Sequence, residues 1–196
     1  MATTRGDEAS VRRAALRAQA LAAREATPAA IRADWEAAIA RHLDELFARL
    51  PAFGTLAFCW PYRAEADVRP WVTRWLAADA ERVAALPVVV ERAAPLVFRR
   101  WLPGMELGRD RYGIPYPERG AVVTPEVALV PLNAFDARGY RLGYGGGYFD
   151  RTLATMRPLT VGVGFESGRV ADVLPQPHDC ALDWLVTEAG ASLRKK

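Results

Sequence analysis

The chain has 196 residues, of which 51% are hydrophobic and 25% charged, and these proportions are ordinary for a soluble globular protein. Its length suffices for one domain with a substantial core, and no apolar run is long enough to cross a bilayer. The net charge of +3 comes mainly from scattered arginines, so an anionic small substrate explains it as well as nucleic acid does. We predict one domain over 1–196, a cytoplasmic location, a monomer, and neither a nucleic-acid nor a membrane partner.

Cysteine and histidine are too few for a disulfide scaffold or a histidine-rich metal site. Cys59 and Cys180 are the only cysteines, far apart and without metal-ligand spacing, and we expect both to be buried small apolar residues. His42 and His178 are the only histidines.

The first predicted element is an Ala- and Arg-rich helix over 10–24 whose weak apolar stripe suggests an exposed position. Arg13 and Arg17 lie one turn apart and share a face of this helix. Their spacing alone favours a solvated basic face.

A second helix is predicted from Thr27, as N-cap, and Pro28, at the first helical position, up to Pro51. Beyond it, a helix over 70–76 and apolar strands follow in the order 56–60, 83–90, 127–132, 159–165 and 182–187. Continuous apolar strands are usually buried on both faces by helices, which indicates an α/β fold with a layered sheet. Ligands in such folds bind at loops beyond the carboxyl ends of strands.

The segment 141–151, RLGYGGGYFDR, combines glycines, aromatics and charges after an apolar run. Glycines permit left-handed backbone and close approach to a ligand, and successive amides before a helix form an anion site. Arg141 and Arg151 flank this loop, and Asp150 either holds a cation against phosphate oxygens or caps the following helix. A flexible linker is the alternative, but linkers are poor in aromatics. The segment therefore predicts a nucleotide phosphate loop that is neither a Walker loop nor a dinucleotide fingerprint.

Residues 133–151, NAFDARGYRLGYGGGYFDR, resemble the signature of the 5-formyltetrahydrofolate cyclo-ligases, also called methenyltetrahydrofolate synthetases. Leu132-Asn133 stands where small or Val-type residues are commoner, and Phe149 replaces a second tyrosine. Some members carry a lysine at the position of Gly146, so this chain must hold phosphate more by backbone and arginine.

The resemblance implies a three-layer α/β fold, helices on both faces, similar to the sugar-phosphate isomerase and CoA-transferase group. It also implies ATP-dependent cyclisation of 5-formyltetrahydrofolate to 5,10-methenyltetrahydrofolate with release of ADP and phosphate, through an iminium phosphate. Mg²⁺ is the implied cofactor, ATP the co-substrate, and the folate can carry a polyglutamate tail.

The resemblance assigns ATP to the basic pair Arg13 and Arg17 and to the loop, with Arg141 and Tyr148 as the catalytic residues. The ATP-binding loop residues are Arg141, Leu142, Gly143, Tyr144, Gly145, Gly146, Gly147, Tyr148 and Phe149. Asp150 and Asp179 are the predicted metal ligands. Asp179 follows Leu-Pro-Gln-Pro-His and resembles a terminal P-x-x-x-D motif, although it can equally form a turn.

The implied folate-binding residues are Trp60, Glu65, Tyr112, Tyr144, Gly145, Gly146, Gly147 and Tyr148. Glu65 can accept hydrogen bonds from the amino-pyrimidine edge of a pterin, against which Trp60 can stack. The alternatives are a surface carboxylate and a core tryptophan. Tyr112 precedes a rigid Gly-Ile-Pro-Tyr-Pro turn, which positions a ring or simply packs its tyrosines.

Two other functions stay open at this point. A non-catalytic folate- or nucleotide-binding regulator would keep the fold and the loop while lacking chemistry. A sugar-phosphate isomerase or CoA-transferase relative would need a catalytic carboxylate in a dedicated loop, and no segment indicates one.

Overall fold

The structure is a computed structural model that describes residues 5–195. Its helices are α1 Arg5–Ala26, α2 Ala29–Phe47, α3 Arg69–Ala77 and α4 Tyr148–Thr155, with a 3₁₀ turn at Glu166–Gly168. Its strands are β1 Thr55–Ala57, β2 Val83–Val88, β3 Val97–Trp101, β4 Gly108–Arg109, β5 Pro115–Tyr116, β6 Val122–Val123, β7 Val127–Pro131, β8 Ala134–Phe135, β9 Arg141–Leu142, β10 Leu159–Val163, β11 Trp184–Thr187 and β12 Gly190–Leu193. None of the helices within 5–195 is both long and apolar enough to span a membrane.

Eight strands form the central sheet in the order β12-β11-β10-β7-β1-β2-β3-β6. The five central strands, β11, β10, β7, β1 and β2, are parallel, and antiparallel strands complete both edges. The pairs β4–β5 and β8–β9 form two small antiparallel hairpins outside this sheet.

Alternate residues of the central strands point into two apolar clusters, one on each face. Leu56 of β1 packs with Ile39 of α2 and Trp71 of α3, whereas Ala57 belongs to the cluster that includes Leu153 of α4. Helices thus cover both faces of the sheet, and the α/β prediction is confirmed. The burial on both faces explains why the central strands read as continuous apolar runs.

The structure corrects three local predictions. Thr27 is not the N-cap of α2: its Oγ1 donates to the Ala23 carbonyl at 2.9 Å, at the end of α1, and Pro28 occupies the cap position. The first helix is not wholly exposed, because Ala20, Leu21 and Arg24 are buried. The two cysteines are free, as expected, but only partly buried.

Between the parallel strands β1 and β7, the direction in which the chain connections run across the sheet reverses. From β1 the chain continues through α3 to β2 on one side, and from β7 it continues to β10 on the other. The loops that leave the carboxyl ends of β1 and β7 therefore diverge and open a crevice, which is where ligands bind in open α/β sheets. Glu65 follows β1, and Asn133 and the glycine loop follow β7.

Candidate functional site

The glycine loop, Gly143–Gly147, connects β9 to α4 in a conformation that requires glycine. Gly145 and Gly147 have φ values of +94° and +63°, and Gly147 is the N-cap of α4. A Cβ at Gly146 would lie 2.7 Å from the Tyr148 ring. The loop therefore runs directly into a helix N-terminus, as predicted, and its form is that of an anion-binding turn.

Two arginines reach the glycine loop without a carboxylate partner among residues 5–195. The Nε of Arg17 donates to the Gly143 carbonyl at 2.6 Å, while its terminal nitrogens donate to no described residue. Arg151 donates from Nη2 to the Gly146 carbonyl, and its Nε is buried without a hydrogen-bond partner in that same range. Burial, and then the neighbouring charge of Arg13, lower the pKa of Arg17. An anion bound at the loop would offset both the burial of the Arg17 charge and its repulsion from Arg13.

Arg141 lies in β9 rather than on an exposed loop, which corrects its sequence-based placement. It is only 6% exposed, its Nη1 donates to the Cys180 carbonyl at 2.8 Å, and its Nη2 pairs with Asp150 Oδ1 at 3.1 Å. Asp150 Oδ1 also accepts a hydrogen bond from the Cys180 amide at 3.1 Å. The predicted role of Arg141 in phosphate binding must therefore coexist with a buried ion pair.

Asp150 is a residue of the first turn of α4, whose N-cap is Gly147, so the alternative of a helix cap is wrong. Its second oxygen, Oδ2, accepts no hydrogen bond from residues 5–195. Over the same residues no group of three His, Cys, Asp or Glu side chains could enclose a metal. Mg²⁺ usually combines one or two carboxylates with substrate phosphates, so a lone carboxylate oxygen beside the glycine loop fits the predicted ion.

Asp179 is nearly fully engaged within the protein. Its oxygens bind Arg13 in a two-point ion pair, with Nη1–Oδ2 at 2.6 Å and Nη2–Oδ1 at 3.2 Å. Oδ2 also accepts from the Gln176 amide at 2.7 Å, which closes a turn. Burial alone would raise the pKa of Asp179, but Arg13 and the Gln176 amide outweigh it and lower that pKa. The turn-forming alternative is thus present, and the metal role of Asp179 stays a prediction.

Glu65 and Tyr144, both predicted folate contacts, meet in the crevice between β1 and β7. Glu65 is 8% exposed, and its Oε1 accepts the Tyr144 hydroxyl at 2.8 Å while Oε2 accepts the Tyr62 amide at 3.0 Å. Burial raises the pKa of both side chains, and the Glu65 charge raises that of Tyr144 further. The tyrosine therefore keeps its proton, and its hydroxyl donates a hydrogen bond to the carboxylate.

Arg24 also belongs to this site, and sequence reasoning missed it. Its Nη2 donates to the Tyr144 hydroxyl at 2.7 Å, and the arginine is only 4% exposed. Arg24 lies about two helical turns after Arg17 and so occupies the same face of α1. The spacing of Arg17 and Arg24 is therefore the feature of the sequence from which this site residue could have been predicted.

The remaining aromatic predictions divide into two groups. Tyr112, 51% exposed, brings its hydroxyl to 3.1 Å from that of Tyr148, so these two distant residues do share one rim of the glycine loop. Trp60 packs against the core beneath the Arg69 guanidinium, which lies 4.4 Å from its ring centroid. Leu142 and Phe149 pack in apolar clusters, so their expected ATP contacts would have to come from backbone atoms.

A small cavity of about 20 Å³ reaches Glu65 and is lined by Cys59, Ala66, Pro131 and Val163 among others. This volume holds a water molecule rather than a ring. A larger cavity of about 220 Å³ lies between α2 and α3 and contains none of the predicted site residues. The predicted site residues lie instead around the crevice, where Glu65 contacts Tyr144 of the glycine loop.

Comparison with known proteins gives consistent matches. The model of the 5-formyltetrahydrofolate cyclo-ligase family matches residues 9–188. A 5-formyltetrahydrofolate cyclo-ligase of Escherichia coli K12 is 35% identical over 136 residues, which cover 65% of this chain and 67% of that protein. A cyclo-ligase of Haemophilus influenzae is 35% identical over 91 residues, so the matched part spans about half of its length, 48%.

Solved structures agree. A 5,10-methenyltetrahydrofolate synthetase of Aquifex aeolicus superposes with a TM-score of 0.79 at 28% identity, covering 94% of this chain and 93% of that one. The corresponding protein of Mycoplasma pneumoniae gives 0.74 at 22% identity, covering 90% and 98% of the two chains, and this match supports the fold alone. With the family model spanning nearly the whole sequence and the glycine loop in place, the chain belongs to the 5-formyltetrahydrofolate cyclo-ligase family.

Proposed function

We propose that this chain catalyses the ATP-dependent cyclisation of 5-formyltetrahydrofolate to 5,10-methenyltetrahydrofolate, with release of ADP and phosphate. The observation that carries the proposal is the position of the glycine loop. Through Tyr144 the loop contacts the buried carboxylate of Glu65, and through its backbone it contacts Arg17 and Arg151, which form no ion pair within residues 5–195. A carboxylate suits the donors of a pterin and the arginines suit phosphates, so the loop lies where two substrates of these types would meet.

The chemistry needs such a meeting point. The N5-formyl group is an amide, so its carbon is a weak electrophile and its oxygen a poor leaving group. Transfer of the γ-phosphoryl group to the formyl oxygen forms a P–O bond, breaks the bond to ADP and leaves an iminium phosphate. N10 then attacks the same carbon, loses its proton, and phosphate departs with the former formyl oxygen. Positioning and charge stabilisation matter more here than a protein nucleophile.

On the phosphate side, we assign the direct cationic contacts to Arg17 and Arg151, together with the amides of Gly143–Gly147. Arg13 and Arg141 each already hold an aspartate. Their side chains therefore act by holding Asp179 and Asp150 in place. Arg141 would stabilise the charge that develops on the phosphates through its ion pair with Asp150. Tyr148, whose hydroxyl lies beside Tyr112, borders the place where the γ-phosphoryl group would meet the formyl oxygen.

We assign Mg²⁺ to Asp150, because its Oδ2 accepts no hydrogen bond from residues 5–195 and the phosphates bound at the adjacent loop would supply further oxygen ligands. When bound with ATP, the ion supplies charge neutralisation of the phosphates. Asp179 is the weaker candidate for a metal ligand, because Arg13 and the Gln176 backbone amide already donate hydrogen bonds to its carboxylate.

On the folate side, Glu65 would accept the amino-pyrimidine donors with its remaining lone pairs. The cavity beside it is too small for a pterin, so the ring would have to lie outside this cavity, on the side of Glu65 that faces Tyr144. Tyr112 and Tyr148 would border the more exposed part of the folate, and Trp60 would support the wall behind Glu65.

The same proposal includes a single domain over 1–196, a cytoplasmic monomer, tolerance of a polyglutamate tail, and the likeness of fold to the sugar-phosphate isomerase and CoA-transferase group. The alternative is a non-catalytic folate- or nucleotide-binding regulator.

Incubation of the purified protein with 5-formyltetrahydrofolate, ATP and Mg²⁺ tests the proposal. We expect methenyltetrahydrofolate absorbance to rise, with one ADP and one phosphate released per product, and no rise without ATP. A flat trace from folded protein that still binds the folate in a calorimeter would identify the regulator instead. A protein that bound neither the folate nor ATP would contradict both functions.

A further inference from the structure

We propose that Arg24 is a positioning residue for the reaction, which couples the folate side of the site to the glycine loop and supplies positive charge to the buried Glu65 through the Tyr144 hydroxyl. This inference rests on the proposed function and adds a residue to it.

The geometry of Arg24 links three separate segments. Its Nε donates to the Arg63 carbonyl at 3.0 Å, in the loop after β1 that carries Glu65. Its Nη1 donates to Asn133 Oδ1 and, at 3.4 Å, to the Leu132 carbonyl, where the chain leaves β7. Its Nη2 donates to the Tyr144 hydroxyl of the glycine loop. One guanidinium therefore bridges both walls of the crevice and the loop.

A buried guanidinium without a carboxylate in direct contact is unusual, because an uncompensated buried charge is costly. Within residues 5–195 Arg24 forms no ion pair. Its counter-charge is Glu65, reached through a relay of 2.7 Å from Arg24 to the Tyr144 hydroxyl and 2.8 Å from that hydroxyl to Glu65 Oε1. Stability of the fold does not require a positive charge here, because the Arg63 and Leu132 carbonyls and Asn133 Oδ1 could equally accept hydrogen bonds from a neutral side chain.

The relay also controls the protonation of Glu65. Burial raises the pKa of Glu65, and the charge of Arg24, the Tyr144 hydroxyl and the Tyr62 amide oppose that rise. Cys59, after β1, also interacts with the charge of Glu65, but burial raises the pKa of its thiol well above the usual value, so the thiol is neutral. Arg24 is therefore the cation that favours the ionised form of Glu65.

A pH profile of folate affinity follows from this charge. If the pterin needs an ionised Glu65, binding weakens as pH falls through the pKa of Glu65. Removal of the Arg24 charge raises that pKa further, so the acid limb of the profile must move to higher pH. A role confined to packing would lower affinity without moving the limb.

The experiment measures the dissociation constant of 5-formyltetrahydrofolate across pH, without ATP, for wild type, Arg24→Met and Arg24→Lys. For Arg24→Met we expect about tenfold weaker binding or more at neutral pH, as for loss of a hydrogen bond to a charged group, and an acid limb shifted upward. Arg24→Lys keeps the charge without the planar fork, so its acid limb should return towards that of wild type while affinity stays reduced. Arg32→Met, on α2, is the matched control, since that arginine donates only to the Thr27 carbonyl among the described residues.

The double variant Arg24→Met/Glu65→Gln should have no shifted limb, because the titrating group is gone. An acid limb of Arg24→Met that coincides with that of wild type would overturn the inference. Should Arg24→Met fail to fold, Arg24→Gln removes the charge while keeping a side-chain hydrogen-bond donor, and an unmoved limb there is equally decisive. These are binding measurements, so wild-type protein that binds folate but does not cyclise it would contradict only the proposed function.

Discussion

Arg141 of β9 and Asp150 of α4 form an ion pair, with 3.1 Å between Nη2 and Oδ1, and both also bind the backbone of Cys180. The pair joins the two ends of the glycine loop, since β9 enters the loop and α4 leaves it. The chain near Cys180 anchors the pair from a third side. The pair and its Cys180 contacts thus hold the two ends of the loop together at its base.

We expect Arg141→Met to destabilise the protein, because it leaves the Asp150 carboxylate without its buried partner. The free energy of unfolding should fall by about 3 to 5 kcal/mol, measured by urea denaturation. Arg151→Met, from the other end of the same loop and without an ion pair in the described structure, should cost much less. An unfolding midpoint for Arg141→Met equal to that of wild type would contradict the structural role assigned to the pair.

Arg13 and Arg17 of α1 should differ in the effects of their substitution. Arg17→Met removes a cation whose terminal nitrogens have no partner in residues 5–195, so we expect weaker ATP binding with an almost unchanged melting temperature. Arg13→Met removes the guanidinium that binds Asp179, whose side chain is only 5% exposed, so it should lower the melting temperature first. Calorimetric titration with ATP and thermal melts of both variants check this. If Arg13→Met instead weakened ATP binding while Arg17→Met lowered the melting temperature, Arg13 would be the residue that contacts phosphate.

Glu65→Gln keeps the shape of the side chain and removes its charge. Loss of a charge-assisted hydrogen bond to the pterin should weaken folate binding by about 1.5 to 3 kcal/mol, with ATP affinity nearly unchanged. The acid limb of the folate-binding profile should disappear with the carboxylate. Equal losses for folate and ATP would indicate a general structural effect. Arg74→Met, which breaks only an exposed pair with Asp44, is the control for a distant charge change.

Asp150→Asn should raise the Mg²⁺ concentration needed for half-maximal turnover and leave folate affinity close to that of wild type. Mg²⁺ is held by few carboxylates, so exchange of one for a neutral amide weakens its site first. Because Asp150 also pairs with Arg141, melts must accompany the Mg²⁺ titration at fixed ATP. A lower melting temperature with an unchanged Mg²⁺ requirement would remove Asp150 from the metal site and keep it in the ion pair alone.

Local sequence patterns were sufficient for the α/β class and for the glycine loop. The central strands read as apolar runs because helices cover both faces, so β7 and β10 were located within one or two residues. Short elements escaped, among them the hairpin β8–β9, because a strand of two residues has no periodicity to detect. The glycine loop could be recognised from sequence because its conformation leaves no choice of residue. Gly145 and Gly147 have positive φ, and a Cβ at Gly146 would meet the Tyr148 ring.

Local sequence was enough to predict which residue types line the candidate site: an anion loop, arginines near it, a carboxylate after β1 and aromatics around them. Which of these charges form ion pairs is visible in the folded structure alone. Arg13, Arg17, Arg24, Arg141 and Arg151 look alike in sequence, but packing places Asp179 and Asp150 against two of them and buries Arg24 behind Tyr144. The physical reason is that an ion pair depends on atoms brought within about 4 Å by elements distant in the chain, which no local spacing specifies.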